Sequence, residues 1–351
     1  MGRVGKAARR QDGKTADREV ESRQSSVVSP FDFRPLTSDT PPRPTPITRI
    51  WRRLRRSELL PGLLFISPWI IGFAWFQLYP ILASIRYSFT NYNLMQPPLW
   101  IGLDNYIRLF TDDELFHKSL MNTATYALFS VPFNLIVAFV FALLLNLRIP
   151  GRTVFRAVFY FPAIIPTVAT AILWSMLLNT KGGLINVGLQ ALGFPAIAWL
   201  TSPTWTMPSL ILLSLWGIGP IIVIFLAGLQ DVPRELYEAA RLDGAGPFRL
   251  VRDVTIPLLS PVILFNLIIG MIAALQVFVQ PFVIFGGGRG GGGNPGGPLN
   301  SVLMYSVQLY TVAFQQFRMG YAAAMAWILF VIIFSLSLLA LRFSNRFVHY
   351  E

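Results

Sequence analysis

Glu238-Ala239-Ala240-Arg241-Leu242-Asp243-Gly244-Ala245 is a short charged stretch between two long apolar runs, and it closes downstream at Val254-Thr255-Ile256-Pro257. It reads as a helix, a glycine-bearing turn and a second helix. Asp231 can cap the helix N-terminus and Pro233 suits the first turn. Residues 234–243 are good helix formers. Leu236, Ala239 and Ala240 share one face at helical spacing. The two alanines leave that face shallow, so another protein's surface can approach closely. Glu238 stands beside it and offers a carboxylate to a basic group. Gly244 and Gly246 permit the turn that ends the helix. Phe248, Val251 and Val254 then share one side of a second amphipathic stretch, and Pro257 opens the next apolar run.

Outward from this stretch the chain is dominated by six apolar segments, near 59–85, 120–147, 158–178, 208–229, 258–284 and 321–341, none with Asp, Glu, Lys or Arg between its ends. Runs of about 20 such residues span a bilayer as helices. Of the 351 residues, 54% are hydrophobic and only 13% charged, against about 25% charged in soluble domains. That deficit excludes a soluble enzyme and predicts an all-α, polytopic membrane bundle of six helices. Pro132, Pro162, Pro166, Pro220 and Pro261 fall inside the apolar segments. Membrane helices tolerate proline where neighbours satisfy the freed carbonyls, so each marks either a functional kink or an irregularity of packing.

The net charge of +12 invites a nucleic-acid reading, but the basic residues cluster at the ends of apolar runs and in the N-terminal tail. This is the signature of membrane topology, not of a face that tracks phosphates. One set of flanks holds Arg49, Arg52, Arg53, Arg55, Arg56, Arg148, Arg152, Arg156, Arg234, Arg241, Arg249, Arg252, Arg342 and Arg346. The opposite set holds Arg86, Arg108, Lys118, Lys181, Arg289 and Arg318. The richer side is expected to be cytoplasmic, which places both termini and the Glu238 stretch there. Residues 1–48 are polar, basic and proline-rich, and read as a disordered cytoplasmic tail; residues 49–351 read as the membrane domain. The run from Ala8 to Thr15 loosely imitates a phosphate loop, but no strand precedes it. Absence of cysteine and the separation of His117 from His349 argue against a metal site. The glycine-rich run 286–298, in the external loop 285–320, reads as a flexible spacer.

The spacing Glu-Ala-Ala, three residues, Gly, nine residues, aliphatic, one residue, aliphatic, Pro resembles the cytoplasmic coupling loop of ABC importer permeases, with Val254 and Ile256 where Ile and Leu are usual. Asp243-Gly244-Ala245 resembles the carbohydrate-uptake branch of that family. So do Leu60-Pro61-Gly62, Ser67-Pro68, Tyr79-Pro80, Gly102-Leu103-Asp104-Asn105-Tyr106, Gly296-Gly297-Pro298 and the run from Phe317 to Ala324. Together they look like a MalF-type sugar permease. The resemblance implies a MetI-like, type I importer fold and a coupling loop over 230–257. It implies that Glu238, Ala239, Ala240, Asp243, Gly244 and Pro257 serve coupling to an ATPase, with Glu238 paired to the ATPase's basic groups. It also implies a second homologous permease, two copies of an ABC ATPase and an extracytoplasmic solute-binding protein, in the lipid of a prokaryotic plasma membrane. ATP and Mg would be used by the ATPase subunits, with no cofactor on this chain, no bond chemistry in it and no nucleic acid as partner.

The spans support the same reading independently. Proton-coupled carriers and voltage sensors place ionisable groups within their spans; these spans hold none centrally. An ion-coupled secondary carrier using backbone carbonyls is the alternative, and it predicts inverted repeats that this sequence does not display. An integral-membrane enzyme would need clustered acids, histidines or a nucleophile–base pair. For a sugar, candidate groups along the path are Asn134, Asn266, Gln276 and Gln280, with Trp174 and Trp216 as apolar platforms. The competing role for such amides is to bind helices to one another.

Overall fold

A chain in hydrocarbon must satisfy its own backbone, and a helix does so within one segment. The computed structural model describes residues 59–147, 150–286 and 293–347, nearly all of them helical. The predicted tail, Arg148, most of the glycine run and His349 lie outside the described residues. The chain divides into two compact units, Met1–Trp69 and Ile70–Glu351. The first is described from residue 59, as the opening turns of the helix Leu59–Phe73.

Among the described residues four helices are long and apolar enough to cross a membrane: Pro61–Ser88, Glu114–Asn146, Ser260–Gly286 and Met319–Ser344. Two further pairs complete six spans when each bent pair counts as one: Arg152–Ile164 with Thr167–Leu177, bent by 99°, and Pro203–Gly217 with Gly219–Asp231, bent by 53°. We number these spans one to six in chain order, the bent pairs being three and four. Span three is the largest departure from the sequence reading, which drew a single run over 158–178. Ile165 and Pro166 adopt extended backbone, as expected of a residue held out of the α region by the following proline. Pro132, by contrast, sits inside the unbroken helix Glu114–Asn146 and does not interrupt it.

Span two is the axis of the second unit. Along one stripe of it Ser119, Thr123, Tyr126 and Ser130 are buried, and Asn134 continues the same spacing of three and four residues. The opposite face carries Met121 and Leu128, both widely exposed, the covering that a lipid-facing surface requires. One cluster near the end of the bundle that carries the charged stretch joins Ala138, Ala142 and Leu145 of span two to Ile222, Phe225 and Leu226 of span four. Small residues let these helices approach closely. At the other end the short helix Tyr305–Tyr310 is stitched inward: Tyr305 N donates to Thr123 Oγ1 at 2.8 Å, and its hydroxyl donates to the Met325 carbonyl at 2.7 Å. Spans one and six are pinned by Trp327 Nε1 donating to Ser84 Oγ at 3.1 Å. A two-residue antiparallel pairing, Thr90 opposite Trp100 and Asn91 opposite Leu99, folds the loop after span one.

Candidate functional site: a coupling helix and a membrane cavity

Two places bring the predicted residues together. The first is the charged stretch. The helix there spans Arg234–Leu242. Contrary to the sequence expectation, Asp231 does not cap it; it closes the preceding helix, because nothing in Leu229-Gln230-Asp231 breaks span four. Pro233 stands at the cap position instead, in extended backbone, with no side-chain cap bond. The far end is a double-bonded turn: Gly244 N donates to the Arg241 carbonyl at 3.0 Å and Ala245 N to the Ala240 carbonyl at 2.9 Å. This pairing needs a left-handed residue between helix and loop, and Gly244 supplies it at φ +81°.

Glu238 and Ala239 are exposed and Ala240 is half-buried. Glu238 makes no ion pair among the described residues. Asp243 is exposed at the helix end, and Pro257 is half-buried in the short turn that leads to span five. Sequence reasoning grouped Phe248 with Val251 and Val254; the structure separates them. The two valines are half-buried, whereas Phe248 is 77% exposed and Leu242, which was not singled out, is 90% exposed. Two large apolar side chains beyond the ends of the spans therefore flank a shallow alanine face. Tyr237 was also missed. Its hydroxyl lies 3.0 Å from Thr255 Oγ1, and Thr255 Oγ1 donates to the Leu250 carbonyl at 3.1 Å. The helix is thereby tied to the segment that becomes span five. A cleft of about 1100 Å³ lies between it and the ends of spans two and four, with Arg152, Arg234 and Arg241 on its walls.

The second place is a cavity of about 420 Å³ within the bundle. Asn134, Asn266, Gln276 and Gln280, chosen from sequence as scattered amides, all line it. Three helix interruptions meet at its wall: Thr167 opens the second half of span three, Gly217 and Ile218 form the break of span four, and Gln276 to Phe278 interrupt span five. Non-helical backbone at membrane depth persists where it is buried in protein or lines a water-filled cavity, which accounts for the breaks lying here. Asn266 is buried and its Nδ2 donates to the Val262 carbonyl at 2.8 Å. Ser214 Oγ donates to Asn134 Oδ1 at 3.0 Å. The lining contains no Asp, Glu, Lys or Arg among the described residues. Tyr126, Ser130 and Ser214 line it too and escaped the sequence reading; the polar stripe of span two was the signal available.

Trp174 and Trp216 lie elsewhere than on the cavity wall. They pack edge to face, ring centroids 5.8 Å apart at 84°, and both indole nitrogens are buried without a hydrogen-bond partner. The break of span four beside them is closely packed. A Cβ on Gly219 would lie 2.3 Å from the Phe159 carbonyl oxygen and 2.9 Å from Tyr160 Cα, so span three's first half seats its backbone directly on the start of span four's second half.

Comparison with known proteins agrees with this architecture. The family described as "binding-protein-dependent transport system inner membrane component" matches residues 130–349, a range that holds the charged loop and the whole cavity lining after Tyr126. The probable ABC transporter permease protein YesP of Bacillus subtilis (strain 168) is 42% identical over 298 residues, covering 84% of this chain and 94% of that protein. The trehalose/maltose transport system permease protein MalF of Thermococcus litoralis is 31% identical over 292 residues, covering 83% and 95%. A bacterial alginate ABC transporter, solved in complex with an alginate pentasaccharide-bound periplasmic protein, is similar with a TM-score of 0.72 at 26% identity, over 85% of this chain and 98% of that one.

Proposed function

The chain belongs to the binding-protein-dependent transport system inner membrane components, and from that premise we propose that it carries a saccharide through the 420 Å³ cavity under the control of the Arg234–Leu242 helix. It is a multi-pass permease subunit of an ABC importer, a transport subunit and not an enzyme. It works with a solute-binding protein; the other partners proposed are a second homologous permease and two ATPase copies that hydrolyse ATP with Mg. Both termini and the coupling loop face the cytoplasm of a prokaryotic cell. The carbohydrate class rests on the relatives, whose named substrates include trehalose, maltose and alginate. An uncharged, amide-lined cavity suits hydroxyl-rich ligands, and its volume lies toward the small end of ligand pockets, about 300–1,000 Å³.

The observation that carries the coupling role is the exposed Glu238–Ala239 face, bracketed by exposed Leu242 and Phe248 and closed by the Gly244 turn. Force applied there has a short route inward. The helix follows span four after a two-residue extended link, Val232-Pro233, and Tyr237 grips Thr255 on the way to span five. Both spans are interrupted at the cavity, so a displacement of the coupling helix is delivered to the two walls that hold Ser214, Gln276 and Gln280. Glu238→Arg tests this. The variant inserts normally but no longer co-purifies with the ATPase and no longer supports uptake. Full uptake and ATPase recovery despite the substitution would defeat the assignment.

A further inference from the structure

Between spans one and two, at the end of the bundle away from the charged stretch, stands a short helix, Asp104–Thr111. It has three different faces. Asn105 and Leu109 are buried. Asn105 Nδ2 donates to the Ser88 carbonyl at 2.8 Å and to the Thr90 carbonyl at 3.0 Å, and the Tyr106 hydroxyl donates to Ser88 Oγ at 2.8 Å. Ser88 is the last residue of span one, so its carbonyl is one of those that a helix end leaves without an internal partner. The short helix is therefore held at the level where an apolar span stops. Its second face is charged, with Arg108 paired to Asp104 at 2.7 Å. Its third face is apolar and open. Leu103, Ile107 and Phe110 share one side by their spacing of four and three residues, and each is more than half exposed. Trp100, which stacks on Phe89 with ring centroids 5.5 Å apart, is exposed as well.

We infer that the Leu103–Ile107–Phe110 face lies in the lipid–water boundary, making the Asp104–Thr111 helix an interfacial anchor whose partner is the phospholipid of that leaflet. The face runs on into surface that belongs to the membrane. Phe110 shares with Ile85 of span one, Leu120 of span two, and Trp327 and Val331 of span six a groove of about 540 Å³ lined only by apolar and aromatic side chains, which suits a lipid acyl chain. A strong apolar face, a separate charged face and low overall hydrophobicity are what a helix lying in the interface combines. Aromatic rings gather at the same level: Tyr87 stacks on Tyr92 at 4.8 Å, and Phe89 packs against Tyr106 at 5.5 Å, in keeping with the aromatic belts of membrane boundaries. Because Asn105 ties the helix to Ser88, lipid that grips the open face also fixes the depth at which span one ends. This inference is independent of the solute carried.

The test places a nitroxide spin label on the full chain, which has no cysteine of its own, at Leu103→Cys, Ile107→Cys or Asp112→Cys. Each labelled chain is assembled with its partner subunits in liposomes of phosphatidylethanolamine and phosphatidylglycerol. Power saturation then compares collisions with oxygen, which concentrates in lipid, and with a nickel chelate, which stays in water. All three positions are exposed, so the label displaces no packed side chain. The oxygen-to-nickel ratio at Leu103 and Ile107 is expected to exceed that at Asp112 severalfold. A ratio at both apolar positions no higher than at Asp112 would put the face in water. Loss of both kinds of collision at Leu103 and Ile107 would put it under a protein, either the binding protein or the second permease. Either result would overturn the lipid anchor.

Discussion

Gly219→Ala adds one methyl group where span four restarts, and the structure fixes what that methyl meets. Its Cβ would lie 2.3 Å from the Phe159 carbonyl oxygen, 2.9 Å from Tyr160 Cα and 3.1 Å from the Phe159 carbonyl carbon. All three are backbone atoms, so no rotamer change relieves the contact. Ordinary van der Waals separation requires the two helices to part by about 1 Å, and forcing extra volume into a packed site costs about 1–3 kcal/mol. The upper half of that range applies because the obstacle is a helix and not a side chain. A loss of about 2 kcal/mol corresponds to a fall in melting temperature of roughly 3–4 °C for an ordered chain of this size, read by thermal unfolding of the purified protein. Gly217, two residues away in the same break, has open space where its Cβ would be. Gly217→Ala is therefore the control and should shift the melting temperature by less than a degree or so, in line with substitutions away from packed features. Equal shifts for the two variants, or none for Gly219→Ala, would refute the backbone contact between spans three and four.

Two further outcomes follow from the coupling loop. Tyr237→Phe removes the bond to Thr255, worth about 1 kcal/mol, and leaves the exposed docking face intact. ATPase association should hold while solute moved per ATP hydrolysed falls, which paired uptake and phosphate-release assays measure; an unchanged ratio would separate Tyr237 from force transfer. Gly244→Val places a β-branched residue at φ +81°, a conformation that costs an L-residue about 1–2 kcal/mol. The end of the docking helix should fray, weakening ATPase binding about tenfold by titration, with a full-strength complex as the contrary result.

How much of this could be read from the chain divides along physical lines. The six spans were legible because hydrocarbon excludes charge so strongly that the gaps between Asp, Glu, Lys and Arg outline each of them. The Arg234–Leu242 helix was legible because its helix formers end at Gly244, a residue able to take a positive φ without cost. The bends were not. Pro132 and Pro166 look alike in sequence, yet one rides inside a continuous helix and the other stands where span three turns by 99°. The four amides were found one by one as unusual residues, while their convergence depends on how spans two, four and five pack. Tyr126, Ser130 and Ser214 were passed over because single hydroxyls are common in membrane helices. Only their register, four residues apart on span two and opposite Ser214, gives them meaning. Asp231 reads as a cap by composition, but the preceding helix simply runs on to it. Trp174 and Trp216, candidate platforms in the sequence, pack edge to face against each other, an outcome that hydropathy does not encode.

The account depends above all on which side of the membrane the Glu238 helix occupies and on what covers it there. The chain contains no cysteine, so Ala239→Cys gives a single thiol on the exposed face with no background. A membrane-impermeant maleimide should label it in inside-out vesicles, fail to label it in intact cells, and lose access when the ATPase is added back. Labelling from outside intact cells would contradict the topology, and labelling undiminished by bound ATPase would contradict the coupling role.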